Sequence, residues 1–147
     1  MSPAGYVISD SRQDQRAGTP APPGPLRVLI VDDDRDSLLT LGLLCRERGM
    51  EVRMLRVGAD LEDVVAEFRP HVVLLDLVLP DRSGFDIAGE LTLRYGNNRP
   101  LLVALTAHTS EADRRMALAA GFHEFIAKPY DPARLMRRLA ALTPKSI

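Results

Sequence analysis

Four short apolar runs in this sequence end on groups that can do chemistry. Residues 26–31 run into Asp32, Asp33 and Asp34, residues 71–75 into Asp76, residues 101–105 into Thr106, and residues 122–127 into Lys128 and Pro129. If the fold gathers these ends, a carboxylate cluster, a hydroxyl and an ammonium share one cleft. Two carboxylates 4 Å apart repel by about 1–4 kcal/mol, depending on the effective dielectric. Three acids beside one lysine remain two positive charges short, and a divalent cation closes that deficit. All-oxygen ligands select a hard cation, and a few carboxylates with waters suit Mg²⁺ better than a closed protein cage. Such a cation bridges readily to a phosphoryl oxygen. The site would then hold a phosphoryl group against a carboxylate, with Asp as acceptor. Positioning and charge neutralisation would supply most of the catalysis.

The elements that would position these groups alternate along the chain. Residues 26–31 and 71–76 read as buried strands, and 51–57 alternates polar and apolar as a strand near a sheet edge does. Residues 101–106 and 122–127 read as two more strands. Leu38, Leu41 and Leu44 recur at helical spacing in 36–48, where Gly49 can cap the end. Further helices are expected over 60–68 with Asp60 as N-cap, over 84–95, over 110–120 stopped by Gly121, and over 132–142 opened by Asp131 and Pro132. Five β-α units of this kind predict a parallel sheet with helices on both faces. Right-handed crossovers leave few topologies. Ligands of such open sheets bind beyond the carboxyl ends of the strands, the rim on which all four chemical groups would lie.

The composition is that of one ordinary globular domain. With 19 basic and 20 acidic residues the net charge is −1, which gives no basic excess for a nucleic-acid surface. The pairs Arg114-Arg115 and Arg137-Arg138 read as solvated helix faces. Cys45 is alone, so no internal disulfide forms. In an apolar stretch it reads as a small buried hydrophobe, and its count suits a reducing compartment. No segment reaches the length of a membrane span, and the N-terminus has no signal-peptide core, so a cytoplasmic protein is expected. Residues 1–25 hold five prolines and read as a disordered, proline-rich tail ending in a stiff linker. Residues 26–142 form the expected domain, and 143–147 a short C-terminal tail. No DNA-binding domain is expected to follow it. The initiating Met and the tail favour a stand-alone protein over a segment of a hybrid sensor kinase.

The order of these motifs resembles the CheY-like receiver domain of two-component signalling over the whole of residues 26–142. The resemblance rests on Val31-Asp32-Asp33, on Leu74-Leu75-Asp76-Leu77-Val78-Leu79-Pro80 with Gly84, on Ala104-Leu105-Thr106-Ala107, and on Phe125-Ile126-Ala127-Lys128-Pro129. Each is weak alone, and four in order at strand ends are specific. The resemblance implies a flavodoxin-like (βα)₅ three-layer sandwich with a parallel five-stranded sheet in the order 2-1-3-4-5. It implies that Asp76 is the phosphoacceptor, and that Asp33, Asp76 and the Val78 backbone carbonyl ligate Mg²⁺, with Asp32 acting through metal-bound water. Thr106, the Ala107 N–H and Lys128 would bind the phosphoryl group. Thr106 and Phe125 would form the switch, and the Lys128–Pro129 peptide would be cis. A histidine kinase or histidine phosphotransfer protein would be the donor. A downstream protein would read the face formed by the last two helices and last strand, and a phosphorylation-dependent homodimer is a further expectation.

Plainer readings compete residue by residue. Asp34 reads as the cap of the next helix, Asp81 as solvated, His71 and His123 as strand-boundary residues, His108 as a surface group at the cleft mouth, and Phe85 and Phe122 as core. Asp32, Asp34 and Asp36 imitate the start of a calcium loop, but Ser37 stands where its glycine belongs and Leu43 where its final glutamate belongs. A dinucleotide site would need glycines after the first strand, and residues 32–37 have none. A Mg²⁺-dependent aspartyl-phosphate phosphatase would resemble this site with an acid two residues after the nucleophile, where this chain has Val78. Rather than such an enzyme, the reading favours a switch that catalyses only its own phosphorylation and dephosphorylation.

Overall fold

A computed structural model of the chain describes residues 24–142. All but the last two residues of the expected N-terminal tail, and the whole expected tail 143–147, lie outside the described residues. The elements run β1 (Arg27–Val31), α1 (Arg35–Glu47), β2 (Glu51–Leu55), α2 (Leu61–Phe68), β3 (Val72–Asp76), α3 (Gly84–Tyr95), β4 (Leu101–Thr106), α4 (Glu111–Ala120), β5 (Glu124–Ala127) and α5 (Pro132–Leu142). All pairings are parallel, in the order β2-β1-β3-β4-β5. This is the doubly wound architecture expected from the alternating pattern.

The central strands are near-continuous apolar runs because both of their faces are covered. Odd and even residues then go to opposite cores. Leu29 and Val31 of β1, Val73 and Leu75 of β3 and Leu102 of β4 pack with Leu61 and Val65 of α2, Ile87 and Leu91 of α3, and Ala117 of α4. Val28 and Ile30, Val72 and Leu74, and Val103 and Leu105 face Leu38, Leu41 and Cys45 of α1 and Leu135, Met136 and Leu139 of α5. Cys45 is a buried thiol whose Sγ lies 3.9 Å from Met136 Sδ, and burial pushes its pKa up to about 11. Phe122 is buried, as expected, and Phe85 packs against the same core.

Several boundaries differ from the sequence reading for physical reasons. β2 ends at Leu55 rather than residue 57 because its only neighbour, β1, ends opposite it at Val31. β5 begins at Glu124 rather than residue 122, because Phe122 turns into the core and its N–H bonds back to the Ala117 carbonyl at the end of α4. Asp60 precedes α2 without accepting a capping bond. Asp34 does cap α1, accepting the Asp36 N–H and the Ser37 hydroxyl, which holds its carboxyl below the usual range. Ser110 and Asp113 form a reciprocal capping box on α4. At the other end of that helix Gly121 takes φ +113°, and Thr92 of α3 fills the space a Cβ would need.

Candidate functional site

Backbone hydrogen bonds carry the strand ladder past its formal ends and so gather the rim. The Asp32 N–H donates to Leu55 O at 3.0 Å, the Leu77 N–H to Leu105 O at 3.3 Å, and the Lys128 N–H to Thr106 O at 2.8 Å. Asp32, Asp33, Asp76, Thr106 and Lys128 therefore meet on one rim of the sheet, at the ends of the four neighbouring strands β1, β3, β4 and β5.

The three acids present carboxylate oxygens within 4.8 Å of one another. Asp32 is fully buried, Asp76 nearly so, and Asp33 exposed. Lys128 Nζ donates to Asp32 Oδ2 at 3.0 Å and to Asp76 Oδ2 at 3.1 Å. The lysine thus bridges two acids. The resemblance had implied that Lys128 binds the phosphoryl group and that Asp32 acts through metal-bound water, and the direct bonds of Lys128 to both acids are an addition to that picture. The second Asp32 oxygen, Oδ1, accepts the Asp34 N–H at 2.9 Å and fixes the loop after β1. Asp76 Oδ1 accepts the Val78 N–H at 3.0 Å, which folds the loop after β3 back over the carboxylate.

Burial pushes the Asp76 carboxyl above its ordinary range, with the like charge of Asp32 adding to it. The Val78 N–H and the Lys128 ammonium pull the other way without cancelling the effect. Burial works against the Lys128 ammonium, but its bonds to Asp32 and Asp76 outweigh this and hold it charged. Three carboxylates face one ammonium, and the donor set is entirely oxygen, so the cluster fits a hard divalent cation. A cation there would favour the ionised form of each acid.

Thr106 is fully buried, and its hydroxyl oxygen accepts the His108 N–H at 2.9 Å. Ala107 and Lys128 border a cavity of about 490 Å³, also lined by Ser37, Thr40 and Tyr130. The Tyr130 hydroxyl is pushed up to about 12, first by burial and then by Asp32. The Lys128–Pro129 peptide is cis. Phe125 lies opposite Ala104 on β4, two residues back from Thr106, half-buried against the core shared with α3 and α4.

Some residues behave differently from the plainer readings. Arg114 does not simply face solvent: its guanidinium stacks 4.8 Å from the Phe125 ring centroid. Arg138 pairs with Glu124. Asp81 is exposed yet accepts the Gly58 N–H at 2.9 Å. Arg82 forks onto Glu62, with Nη1–Oε1 at 2.8 Å and Nη2–Oε2 at 2.7 Å. Nothing in the sequence announces that pair, because its members are 20 residues apart and follow no helical or strand spacing. His71 and His123 both accept backbone N–H groups through Nδ1, a role the sequence reading did not give them.

Comparison with known proteins covers the same stretch of the chain. The family profile for the response regulator receiver domain matches residues 28–140. The DNA-binding response regulator MtrA of Mycolicibacterium paratuberculosis is 36% identical over 115 residues, which is 78% of this chain and 50% of that protein. The transcriptional regulatory protein GltR of Pseudomonas aeruginosa is 31% identical over 115 residues, 78% of this chain and 48% of that protein. Among solved structures, the BeF₃-activated receiver domain of Klebsiella pneumoniae RstA superimposes with a TM-score of 0.72 at 27% identity, covering 78% of this chain and 96% of that one. The chemotaxis response regulator CheY4 of Vibrio cholerae shares the fold, with a TM-score of 0.74 at 22% identity over 80% of this chain and 98% of its own.

These relatives correct the expected set of partners, which excluded a DNA-binding domain. The chain spans about half the length of the curated relatives it matches, and MtrA is by its name a DNA-binding protein. Among the described residues no helix is long and apolar enough to cross a membrane. The strand order, the acid cluster and the matched span agree on one answer: the chain belongs to the response regulator receiver domain family of two-component signalling, with a CheY-like fold.

Proposed function

We propose that this chain is a phosphoacceptor switch whose Asp76 takes a phosphoryl group from a phosphohistidine on a kinase or phosphotransfer protein. The observation that carries this reading is the Lys128 ammonium bridging Asp32 and Asp76 at 3.0 and 3.1 Å beside Asp33. Asp33, Asp76 and the Val78 carbonyl would hold Mg²⁺, with Asp32 acting through a bound water. When bound, the cation supplies the positive charge that lets a phosphoryl oxygen approach three acids. An Asp76 carboxylate oxygen attacks phosphorus as the P–N bond to the imidazole breaks, and the leaving imidazole takes up a proton. Lys128 passes from carboxylate to phosphoryl oxygen, while the Thr106 hydroxyl and the Ala107 N–H donate to the remaining oxygens. Such donors act by being in place before charge develops.

Phosphorylation would draw Thr106 toward the phosphoryl group and release space beside β5 for Phe125, a two-state element biased by contacts at the site. The chemistry is confined to the chain's own phosphorylation and dephosphorylation. The free Cys45 thiol agrees with a cytoplasmic place of action. Acetyl phosphate with Mg²⁺ should add one phosphoryl group, seen by intact mass spectrometry and mapped to Asp76. If Asp76→Asn is labelled as well as the wild type, the assignment is wrong.

A further inference from the structure

The loop between β3 and α3 carries Val78 and is tied down at its far end. Its base is closed by the Gly84 N–H bonding to Leu77 O at 2.9 Å and by an antiparallel bridge between Val78 and Ser83. Its crown is fixed by neighbours from another part of the chain. Arg82 Nη1 donates to Gly58 O at 3.1 Å while both terminal nitrogens grip the Glu62 carboxylate at the start of α2. Asp81 Oδ1 accepts the N–H of the same Gly58. One peptide segment at Gly58 thus receives a bond from the loop and gives one to it, and a two-point ion pair stands beside it. Both ionic side chains are three-quarters or more buried. The Arg82 contact holds the Glu62 carboxyl below the usual range. A planar fork of this kind fixes direction as well as distance, which a lysine in its place would not.

We infer that the Arg82–Glu62 pair, with Asp81, is a clamp that sets the Mg²⁺ affinity of the acid cluster by fixing the loop that carries the Val78 carbonyl. This rests on the proposed ligand set of Asp33, Asp76 and Val78. Mg²⁺ demands near-ideal octahedral geometry, so a carbonyl that wanders costs affinity even when both carboxylates stay in place. These are positioning residues. Among the described residues they make no hydrogen bond or ion pair to the acids, and they act through Leu77–Ser83.

Coulomb's law gives the test its sign. If Arg82 acted only as a charge, Arg82→Ala would remove repulsion and tighten Mg²⁺, while Glu62→Gln would loosen it. A clamp loosens it in both cases. Mg²⁺ alone is titrated into the full chain and followed by amide chemical shifts of Val78 and Asp33, with melting curves as a control on folding. Arg82→Ala and Glu62→Gln should each weaken Mg²⁺ by about 10-fold, the scale on which groups that orient a ligand act. The double variant should be no worse than the weaker single one, and the swap Arg82→Glu with Glu62→Arg should recover part of the loss.

Asp81→Ala tests the same clamp without touching the ion pair. It should weaken Mg²⁺, while Asp81→Asn, which keeps the acceptor for Gly58, should not. Unchanged or tighter binding in Arg82→Ala, with Asp33→Asn still losing Mg²⁺, overturns the clamp and leaves the proposed function standing. Equal loss in Asp81→Ala and Asp81→Asn overturns it as well. A wild-type chain that does not bind Mg²⁺ at Val78 and Asp33 overturns both.

Discussion

Asp33 stands apart from the other two acids of the cluster because it is exposed, whereas Asp32 and Asp76 are buried and bonded to Lys128. Among the described residues its carboxylate has no hydrogen-bond or ion-pair partner, while its backbone carbonyl accepts from Arg56 at 3.2 Å, so its charge is not tied into the fold. Asp33→Asn is therefore expected to lose Mg²⁺ affinity and slow labelling by acetyl phosphate without lowering the melting temperature of the metal-free protein. A drop of many degrees would show that Asp33 is structural. The acids, Thr106 and Lys128 were legible in the sequence because each follows an apolar run, and a parallel sheet places all such ends on one rim. The Asp32–Lys128 bond was not, because which of two adjacent acids turns inward depends on the loop after β1, which Asp34 closes through its own N–H. Arg82 and Glu62 were illegible for a similar reason: their meeting is a product of tertiary approach between the loop after β3 and the first turn of α2.

At the scale of elements, α3 carries two glycines whose surroundings make opposite demands. A Cβ at Gly84 would lie 2.7 Å from the Asp76 carbonyl oxygen and 2.7 Å from Leu77 Cα, both backbone atoms that cannot step aside. A Cβ at Gly89, one and a half turns on, meets nothing within 4 Å. Gly84→Ala should destabilise the protein by about 1–3 kcal/mol, the range for overpacking, and should disturb labelling because the displaced atoms adjoin the phosphoacceptor. Gly89→Ala should be neutral or stabilise by up to about 1 kcal/mol from helix propensity alone. Urea unfolding of both variants checks the pair, and equal costs would refute the packing argument. Element types and most boundaries could be read from periodicity, with α3, β4 and α5 matching residue for residue. The ends misread by two residues, at β2 and β5, belong to edge strands, where one neighbour rather than the residue pattern decides how far pairing runs.

Across the whole molecule, the sheet has a functional rim and an opposite rim held partly by histidines. His71, just before β3, donates its N–H to Arg27 O at 2.8 Å and accepts the Arg27 N–H through Nδ1 at 2.9 Å. His123, just before β5, does the same with Leu102, at 2.8 and 3.0 Å. Each histidine thus joins two strands where the regular ladder begins, provided that Nδ1 is unprotonated. Burial, with Arg27 beside it, pushes the His71 pKa below the ordinary value of 6.5; burial, with Arg99 beside it, does the same for His123. A group whose folded pKa is depressed binds protons more readily when unfolded. Its contribution is complete above the unfolded pKa near 6.5 and is lost as pH falls through the lower folded value. Acid therefore loosens this rim in two ways, by charging rings of which that of His71 is half-buried, and by cancelling the acceptor for Arg27 and Leu102. The melting temperature of the metal-free protein should fall as pH is lowered from above 7 toward 5, before most carboxylates titrate. Replacing both rings with asparagine keeps a side-chain acceptor that does not titrate, so the His71→Asn, His123→Asn protein should show a flatter melting profile over the same interval. If the two profiles fall in parallel, the acid sensitivity lies elsewhere, and the histidines serve only as fixed acceptors at the edge of the sheet.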